Sequence, residues 1–377
     1  MKMKSTMKKL FCVILAVAVF AVSVPFTALA LPADEVDFAI LSDVHYFAES
    51  SMGYSDADRQ EFNEIMLMNN STSGLAPYLT DAAMANITAM AKNGEIDFLL
   101  LPGDLTRNAE KAAHKDLAAR LAQFEADTGV PVYVIVGNHD VNNQRAMYYD
   151  GEEMVSVKKN PELRAELDTT PEEFEEIYAD FGYSAEGGYY SRYKAQADNS
   201  EGSLSYATDI NDEYRLIAID SQLYSADNTD SGLDEQETAG HISDALLEWT
   251  LNECAKAEAD GKTIIGMCHT NFIPHFETEV DLFDNFVLRG WEKVADALAD
   301  AGMHFVVSGH VHMQDVATYV NDNGEEITDV TTTSILSYPN QFRTVNVQTA
   351  LGGDITMSYD THDVDEYVPV YINGVAQ

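Results

Sequence analysis

Residues 304–314 read HFVVSGHVHMQ: an apolar, β-branched run reaches Ser308-Gly309 and then presents two histidines one residue apart. In extended backbone, residues i and i+2 point the same way. His310 and His312 are therefore expected to converge on one point just past the end of a buried strand. An isolated His-x-His is more often two solvated loop residues, so the choice rests on the residues that end the other strand-like runs.

Those runs are VDFAIL (36–41), DFLLLP (97–102), VYVIV (132–136), YRLIAID (214–220), TIIGMC (263–268) and HFVVSG (304–309), each of the buried-strand type. Amphipathic helices are expected between them near 81–93, 110–127, 242–259 and 290–301, stopped at Gly94, Gly129, Gly261 and Gly302. After His312 the pattern is all strand, in DVATYV, TDVTTTSIL, FRTVNVQ and DITMSYD. This alternation predicts one α/β layered domain with mixed sheets over residues 31–377. Two inserts, near 46–80 and 141–202, interrupt it. Neither resembles core, and both are expected to form a rim or lid.

Metal-ligand residue types stand directly after five of the strand runs. Asp43 and His45 follow the first, Gly103-Asp104 the second, and Gly137-Asn138-His139-Asp140 the third. His269 follows TIIGMC, and His310 and His312 follow the last. Each signal alone has a plain structural explanation. Gly-Asp after a strand makes a turn, Gly-Asn-His-Asp makes a hairpin, and a lone histidine is usually a hydrogen-bonded core residue. Five together at strand ends do not, because the carboxyl ends of such strands share one edge, where α/β sheets bind ligands.

In this order the residues resemble the calcineurin-like metallophosphoesterase superfamily over about 36–320. The later SILSYPNQFRTV resembles a segment common after the last histidines in secreted bacterial and cyclic-nucleotide-phosphodiesterase-like members. The resemblance implies a four-layer α/β/β/α sandwich with two mixed β-sheets. It also implies two divalent metal ions: Asp43, His45 and His312 on the first, Asn138, His269 and His310 on the second, and Asp104 bridging. Such a pair, sharing a carboxylate and a water, lowers the pKa of the water and clamps a phosphoryl group for attack by a metal-bridging hydroxide. Imidazole with carboxylate suits Fe, Mn or Zn, and neutral Asn138 leaves the pair electrophilic. Each ligating histidine is expected to use its other nitrogen on an acceptor behind it.

The family further implies that His139 donates a proton to the leaving oxygen or stabilises the charge there. Asp140 is expected to orient that imidazole and raise its pKa, unless it caps the following segment. Arg107 stands where purple acid phosphatases have the iron-binding tyrosine of Gly-Asp-x-x-Tyr, which argues against an iron-tyrosinate centre. Arg107 and Asn108 are candidate phosphate contacts, with a solvated loop as the alternative. Thr270 occupies the place of a frequent second histidine, and His275 is a candidate to replace that substrate contact. His114, His241, His304 and His362 fit no motif and read as structural or surface. Tyr148, Tyr149, Tyr189 and Tyr190 read as packing beneath a lid, or as a stacking platform.

The bulk properties narrow the partners. Residues 1–30 carry four lysines, a continuous apolar stretch and a small-x-small end at Ala28 and Ala30, which reads as a signal peptide. The protein is thus expected to be secreted or extracytoplasmic. Removing those lysines takes the formal net charge from −41 to −45. That charge disfavours a nucleic-acid surface and adhesion to anionic lipid, and no stable membrane association is expected after cleavage. The expected partner is a small phosphoester, and its local positive charge would have to come from metal. Cys254 and Cys268 are expected as buried thiols, with a bridge as the alternative. An exported 5′-nucleotidase would add a large C-terminal substrate domain, whereas about 60 residues follow His312. The rival from another class is a secreted binding module on an inactive metallophosphoesterase scaffold, which should have lost ligands.

Overall fold

The computed structural model describes residues 34–184, 188–195, 201–223, 240–350 and 355–364, with the backbone of 371–372 and 375–376. The signal-peptide reading falls on residues 1–30, outside that set. The first half begins with β1 (Asp34–Ile40), β2 (Phe98–Pro102) and β3 (Val132–Ile135), which pair side by side and in parallel. Parallel neighbours need crossovers, and a right-twisted sheet accepts them with one hand. Helices α2 (Ala76–Asn93) and α3 (Lys111–Thr128) supply them and so share one face of the sheet. Both stop at left-handed glycines, Gly94 and Gly129, as the sequence implies.

The second half repeats the device. Strands β8 (Tyr214–Ile219), β9 (Thr263–Cys268) and β10 (Phe305–Ser308) are parallel neighbours. They are joined by α5 (Asp244–Ala259) and α6 (Trp291–Asp300). Leu246, Leu247, Val294 and Leu298 of those helices pack with Ile217, Ile264 and Val306 of the strands in one apolar cluster. Strands β6 (Tyr190–Arg192) and β7 (Tyr206–Asp209) extend one side antiparallel; β12 (Glu326–Thr331) is parallel to β10, and β11 (Asp315–Val320) closes the other side. Among the described residues this gives a seven-stranded mixed sheet, β11-β12-β10-β9-β8-β7-β6. The other large sheet has five strands among the described residues, ordered β14-β13-β1-β2-β3, with β13 at Gln341–Thr349 and β14 at Ile355–Asp363.

The inner faces meet without helices between them. Tyr206 on β7 donates its hydroxyl to the carbonyl of Val134 on β3 (2.9 Å), and Tyr214 on β8 donates to that of Val347 on β13 (3.2 Å). The layers are therefore helix, sheet, sheet, helix, as expected. Contacts divide the chain into a main unit, Val36–Val347 with Met357–Gln377, and a small one, Met1–Glu35 with Gln348–Thr356. Within the small unit Gln348 donates to the Glu35 carboxylate (3.2 Å). Cys254 and Cys268 are buried free thiols, not a bridge. No helix among the described residues is long and apolar enough to cross a membrane.

The inserts correct the expectation that they lack core. Residues 46–80 contain α1 (Asp56–Met68), opened by a capping box between Ser55 and Asp58. Its Phe62 stacks on Phe47 (5.0 Å between centroids) and packs with Met52, Met66 and Tyr149 into a separate buried cluster. Tyr149 comes from the second insert, on β4 (Met147–Tyr149), the partner of β5 (Met154–Ser156). Helix α4 (Pro171–Ile177) of that insert buries Phe174, while Tyr178 holds His114 Nδ1 (2.9 Å). The inserts are one packed annex.

Candidate metal centre

Parallel pairing brings the carboxyl ends of β1, β2 and β3 to one edge, and those of β9 and β10 to one edge of the other sheet. The turns beyond them are clasped to one another. The His45 amide donates to the Asp104 carbonyl (2.8 Å), the Gly309 amide to the His269 carbonyl (3.0 Å), and the His139 amide to Asp104 Oδ1 (2.9 Å). Across the sheets, the His310 amide donates to the Asp43 carboxylate (3.1 Å). Gly309 is required by this crowding: a Cβ there would collide with Ser42 and Asp43 side-chain oxygens. Gly137 likewise lies against the Asp104 amide and carboxylate.

The premise of extended backbone at the paired ligands needs correction. Asp43, His45, Asp104, His310 and His312 all have left-handed φ, between 43° and 67°. A non-glycine residue there costs about 1–2 kcal/mol. Such strain persists where surrounding structure fixes it, typically at functional sites. The left-handed turns also separate the two histidines of HFVVSGHVHMQ, which do not meet at a single point.

Two groups of candidate ligand atoms result, each with all members within 4.8 Å of one another. Asp43, His45, Asp104 and His312 form the first; Asp104, His269 and His310 form the second. Asp104 belongs to both, and its two oxygens divide between them. Oδ2 lies 3.5 Å from His45 Nε2, and Oδ1 lies 3.4 Å from His269 Nε2. Asn138 joins the second group, with Oδ1 3.0 Å from His269 Nε2. In the first, His312 Nε2 is 3.2 Å from Asp43 Oδ1 and 3.1 Å from His45 Nε2. All seven sequence-predicted ligands are thus brought together.

These contacts fit cations. His269 uses Nδ1 on the Pro102 carbonyl (2.8 Å), which turns its Nε2 lone pair toward the Asn138 and Asp104 oxygens. Two acceptors facing each other repel unless something positive lies between them. His310 uses Nε2 on the Asn285 carbonyl (3.2 Å), leaving Nδ1 as its candidate ligand atom. Where no cation is bound, a proton on Nε2 takes that place: burial would lower His269, yet Asp104 holds it up at about 9. Burial would raise Asp104, but His269, His139 and His45 hold it well below the usual carboxylate range. His45 and His310 are pushed down by burial, to about 3 and about 4, and so offer neutral nitrogens.

His139 lines the adjoining cavity, edge-on to His45 at 4.9 Å between ring centroids. The expectation that Asp140 orients it is not met. Asp140 is wholly buried, and its carboxylate accepts from the amides of Leu105, Thr106 and Gly137 and the Thr106 hydroxyl (2.8–3.1 Å). It pins the turn after β2 to the turn after β3. The His139 ring is held instead by the Arg107 carbonyl, 2.6 Å from Nδ1. Asn108 completes that clamp: with its side-chain amide turned so that neither end faces its like, its nitrogen donates to the same carbonyl (2.9 Å) and its oxygen accepts from Arg107 Nη1 (2.7 Å).

The cavity measures about 520 Å³ and has Arg107, Asn108, His45, His139 and His312 in its wall. His275 is not there. Its side chain has no exposed surface and is held between Asp315 (3.1 Å) and Asp329 (3.4 Å), so it is corrected to a structural residue. Asp329 also accepts from the Phe272 amide and the Ser308 hydroxyl, bracing the turns that carry His269 and His310. Tyr149 is core, and Tyr189 packs on the Arg215 guanidinium (3.6 Å to the ring centroid). The sequence reading passed over Arg145 and Lys158, which also line the cavity. Their positive charge within an acidic insert was the available signal.

The calcineurin-like phosphoesterase profile matches residues 36–314. The chain belongs to the calcineurin-like phosphoesterase family. As a family member it is a metal-dependent phosphoric ester hydrolase acting on phosphoesters, and the family implies a dinuclear metal centre. The chain is similar to three solved structures. A dimetal phosphatase from Danio rerio is 12% identical (TM-score 0.47), with 86% of this chain and 99% of that one covered. The sulfate thiohydrolase SoxB from Thermus thermophilus is 14% identical (TM-score 0.40; 89% and 57% covered). The purple acid phosphatase PPD1 from yellow lupin seeds is 13% identical (TM-score 0.43; 88% and 55% covered). The chain thus spans little more than half the length of the latter two. No curated protein matches it.

Proposed function

We propose that this phosphoesterase is exported and hydrolyses a small phosphomonoester or phosphodiester with a pair of Fe, Mn or Zn ions. Export is supported by the basic, apolar and small-residue sequence of positions 1–30. The metal choice is supported by a donor set of imidazoles and carboxylates. Asp43, His45 and His312 would hold one ion, Asn138, His269 and His310 the other. The observation carrying this reading is that Asp104 turns one oxygen toward each group.

When bound, the ions supply the charge that draws in phosphoryl oxygens and lowers the pKa of the attacking water. The protein does the rest. Asp104 keeps the two sides in register, and Asp43 and the strained turns hold the histidines in place before substrate arrives. His139, fixed through Nδ1 on the Arg107 carbonyl, offers Nε2 to the cavity. A proton there is positioned for the leaving oxygen.

The test is turnover of p-nitrophenyl phosphate and bis-p-nitrophenyl phosphate by protein loaded with Mn2+, Zn2+ or Fe2+. Hydrolysis of either is expected. Protein with metal bound that cleaves no phosphoester would instead be a binding scaffold.

A further inference from the structure

The cavity beside His139, about 520 Å³ in volume, falls within the ~300–1,000 Å³ usual for small-ligand sites. Hydroxyl residues from three separate segments stand in its wall: residues 71–73 of the first insert, Ser156 on β5, and Ser334 and Ser337 after β12. Part of this wall is committed to the protein. Ser71 and Ser73 bond to each other through Oγ (2.8 Å), Ser73 Oγ accepts from Arg107 Nε (2.7 Å), and Ser334 Oγ donates to the Asp43 carbonyl (2.7 Å). Those bonds fix the wall relative to the metal-ligand turns. The hydroxyls of Thr72, Ser156 and Ser337, and the Asn70 side-chain amide, have no hydrogen-bond partner among the described residues.

Hydroxyl and carboxamide side chains both donate and accept. A ligand that does the same matches them, whereas an ionised carboxylate only accepts and an alkyl or aryl group does neither. An apolar leaving group would displace water from these side chains and return no hydrogen bond, which selects against it. Met147 and Leu336 interrupt the polar wall and suit the C–H faces that a polyhydroxylated skeleton retains. We propose that the leaving alcohol is a polyol, so that the substrate is a phosphate ester of a sugar alcohol or cyclitol whose free hydroxyls meet Thr72, Ser156 and Ser337. This rests on the hydrolytic reading above, which sends the alcohol past His139 into this cavity. In the reaction, water supplies the oxygen that bonds phosphorus and, in net terms, the proton that the alcohol takes. Only the scissile P–O bond breaks, and the polyol departs with its other hydroxyls unchanged.

The experiment compares kcat/KM of metal-loaded protein for sorbitol 6-phosphate with n-hexyl phosphate, and for myo-inositol 1-phosphate with cyclohexyl phosphate. Each pair shares a carbon skeleton and differs in free hydroxyls, and the second pair tells a ring from an open chain. At least one polyol ester is expected to win by about tenfold or more, the worth of one or two net hydrogen bonds. Polyols are also the better leaving groups, but that advantage is the same in every variant, so binding is read from the change. Thr72→Val with Ser156→Ala should pull the ratio toward one by about threefold or more, mainly through KM, and each single substitution should move it part of the way. Thr72 is exposed and Ser156 half-buried, so the variants should fold. Ratios near one for both pairs, or a ratio that the double variant leaves unmoved, overturn the polyol site. Hydrolysis of p-nitrophenyl phosphate or its bis ester in the same preparation would show that the hydrolytic reading survives. Where no alkyl or polyol ester is turned over, the same pairs are compared as ligands of metal-loaded protein by calorimetry, and equal affinities overturn the proposal.

Discussion

Replacing Asp140 by asparagine separates a structural clamp from a catalytic partner of His139. Asp140 Oδ2 accepts from the Leu105 and Gly137 amides, while Oδ1 accepts from the Thr106 amide and hydroxyl. An asparagine keeps one oxygen and turns an NH2 group toward the other two donors. Two buried N–H groups then lose their acceptor at about 1–3 kcal/mol each, so Asp140→Asn should cost about 4 kcal/mol. That is a large share of a typical folding stability of about 5–15 kcal/mol, and it should lower Tm by about 5–10 °C. Because the clamp joins the Asp104 turn to the Asn138 turn, metal affinity should fall as well. Activity lost should return with added metal, by the same factor for p-nitrophenyl phosphate and phenyl phosphate. Calorimetric melting, metal analysis and rates on the two esters provide the readouts. A wild-type Tm with full metal content and a loss confined to the poorer leaving group would refute the clamp and restore Asp140 as the partner of the imidazole.

Asp104→Ala should empty both metal sites, since each group uses one of its oxygens; two ions per chain by elemental analysis would show that the carboxylate does not bridge. His139→Ala should keep its metals and slow turnover by roughly 10²–10⁴-fold, least for good leaving groups, and an equal loss across a leaving-group series would argue against proton donation. His275 gives a pH dependence. Burial lowers its pKa, but Asp329 and Asp315 outweigh this and raise it from 6.5 to about 8. The folded value exceeds the unfolded one, so the stabilisation of about 2 kcal/mol is complete below pH 6.5 and lost as pH rises through about 8. Urea midpoints measured between pH 6 and 9 should fall more in the wild type than in His275→Gln, and parallel curves would contradict the assignment.

The strand ends were legible because ligand-type residues directly follow buried apolar runs, and parallel pairing alone brings those ends to one edge. The geometry of the turns was not. Asp43, His45 and His310 adopt left-handed φ under contacts from residues far away in sequence, such as Asp104 and Ser334, and no local pattern encodes that. His275 was misread for a related reason: its partners Asp315 and Asp329 arrive from β11 and β12, about 40 and 54 residues downstream. Arg145 and Lys158 escaped notice because a cavity wall has no sequence period. The core in the inserts was hidden by its division, with Phe62 in one and Tyr149 in the other.

The seven candidate ligands stand on the sheet edges, whereas Arg145, Lys158 and the serines near position 71 stand on the annex. On the proposed reading, reactivity and selectivity would therefore lie on separable stretches of chain. A graft exchanging both annex pieces together, so that Phe62 keeps its companion Tyr149, should transplant substrate preference onto an unaltered hydrolytic engine. Exchanging either piece alone should yield a chain that neither packs nor discriminates.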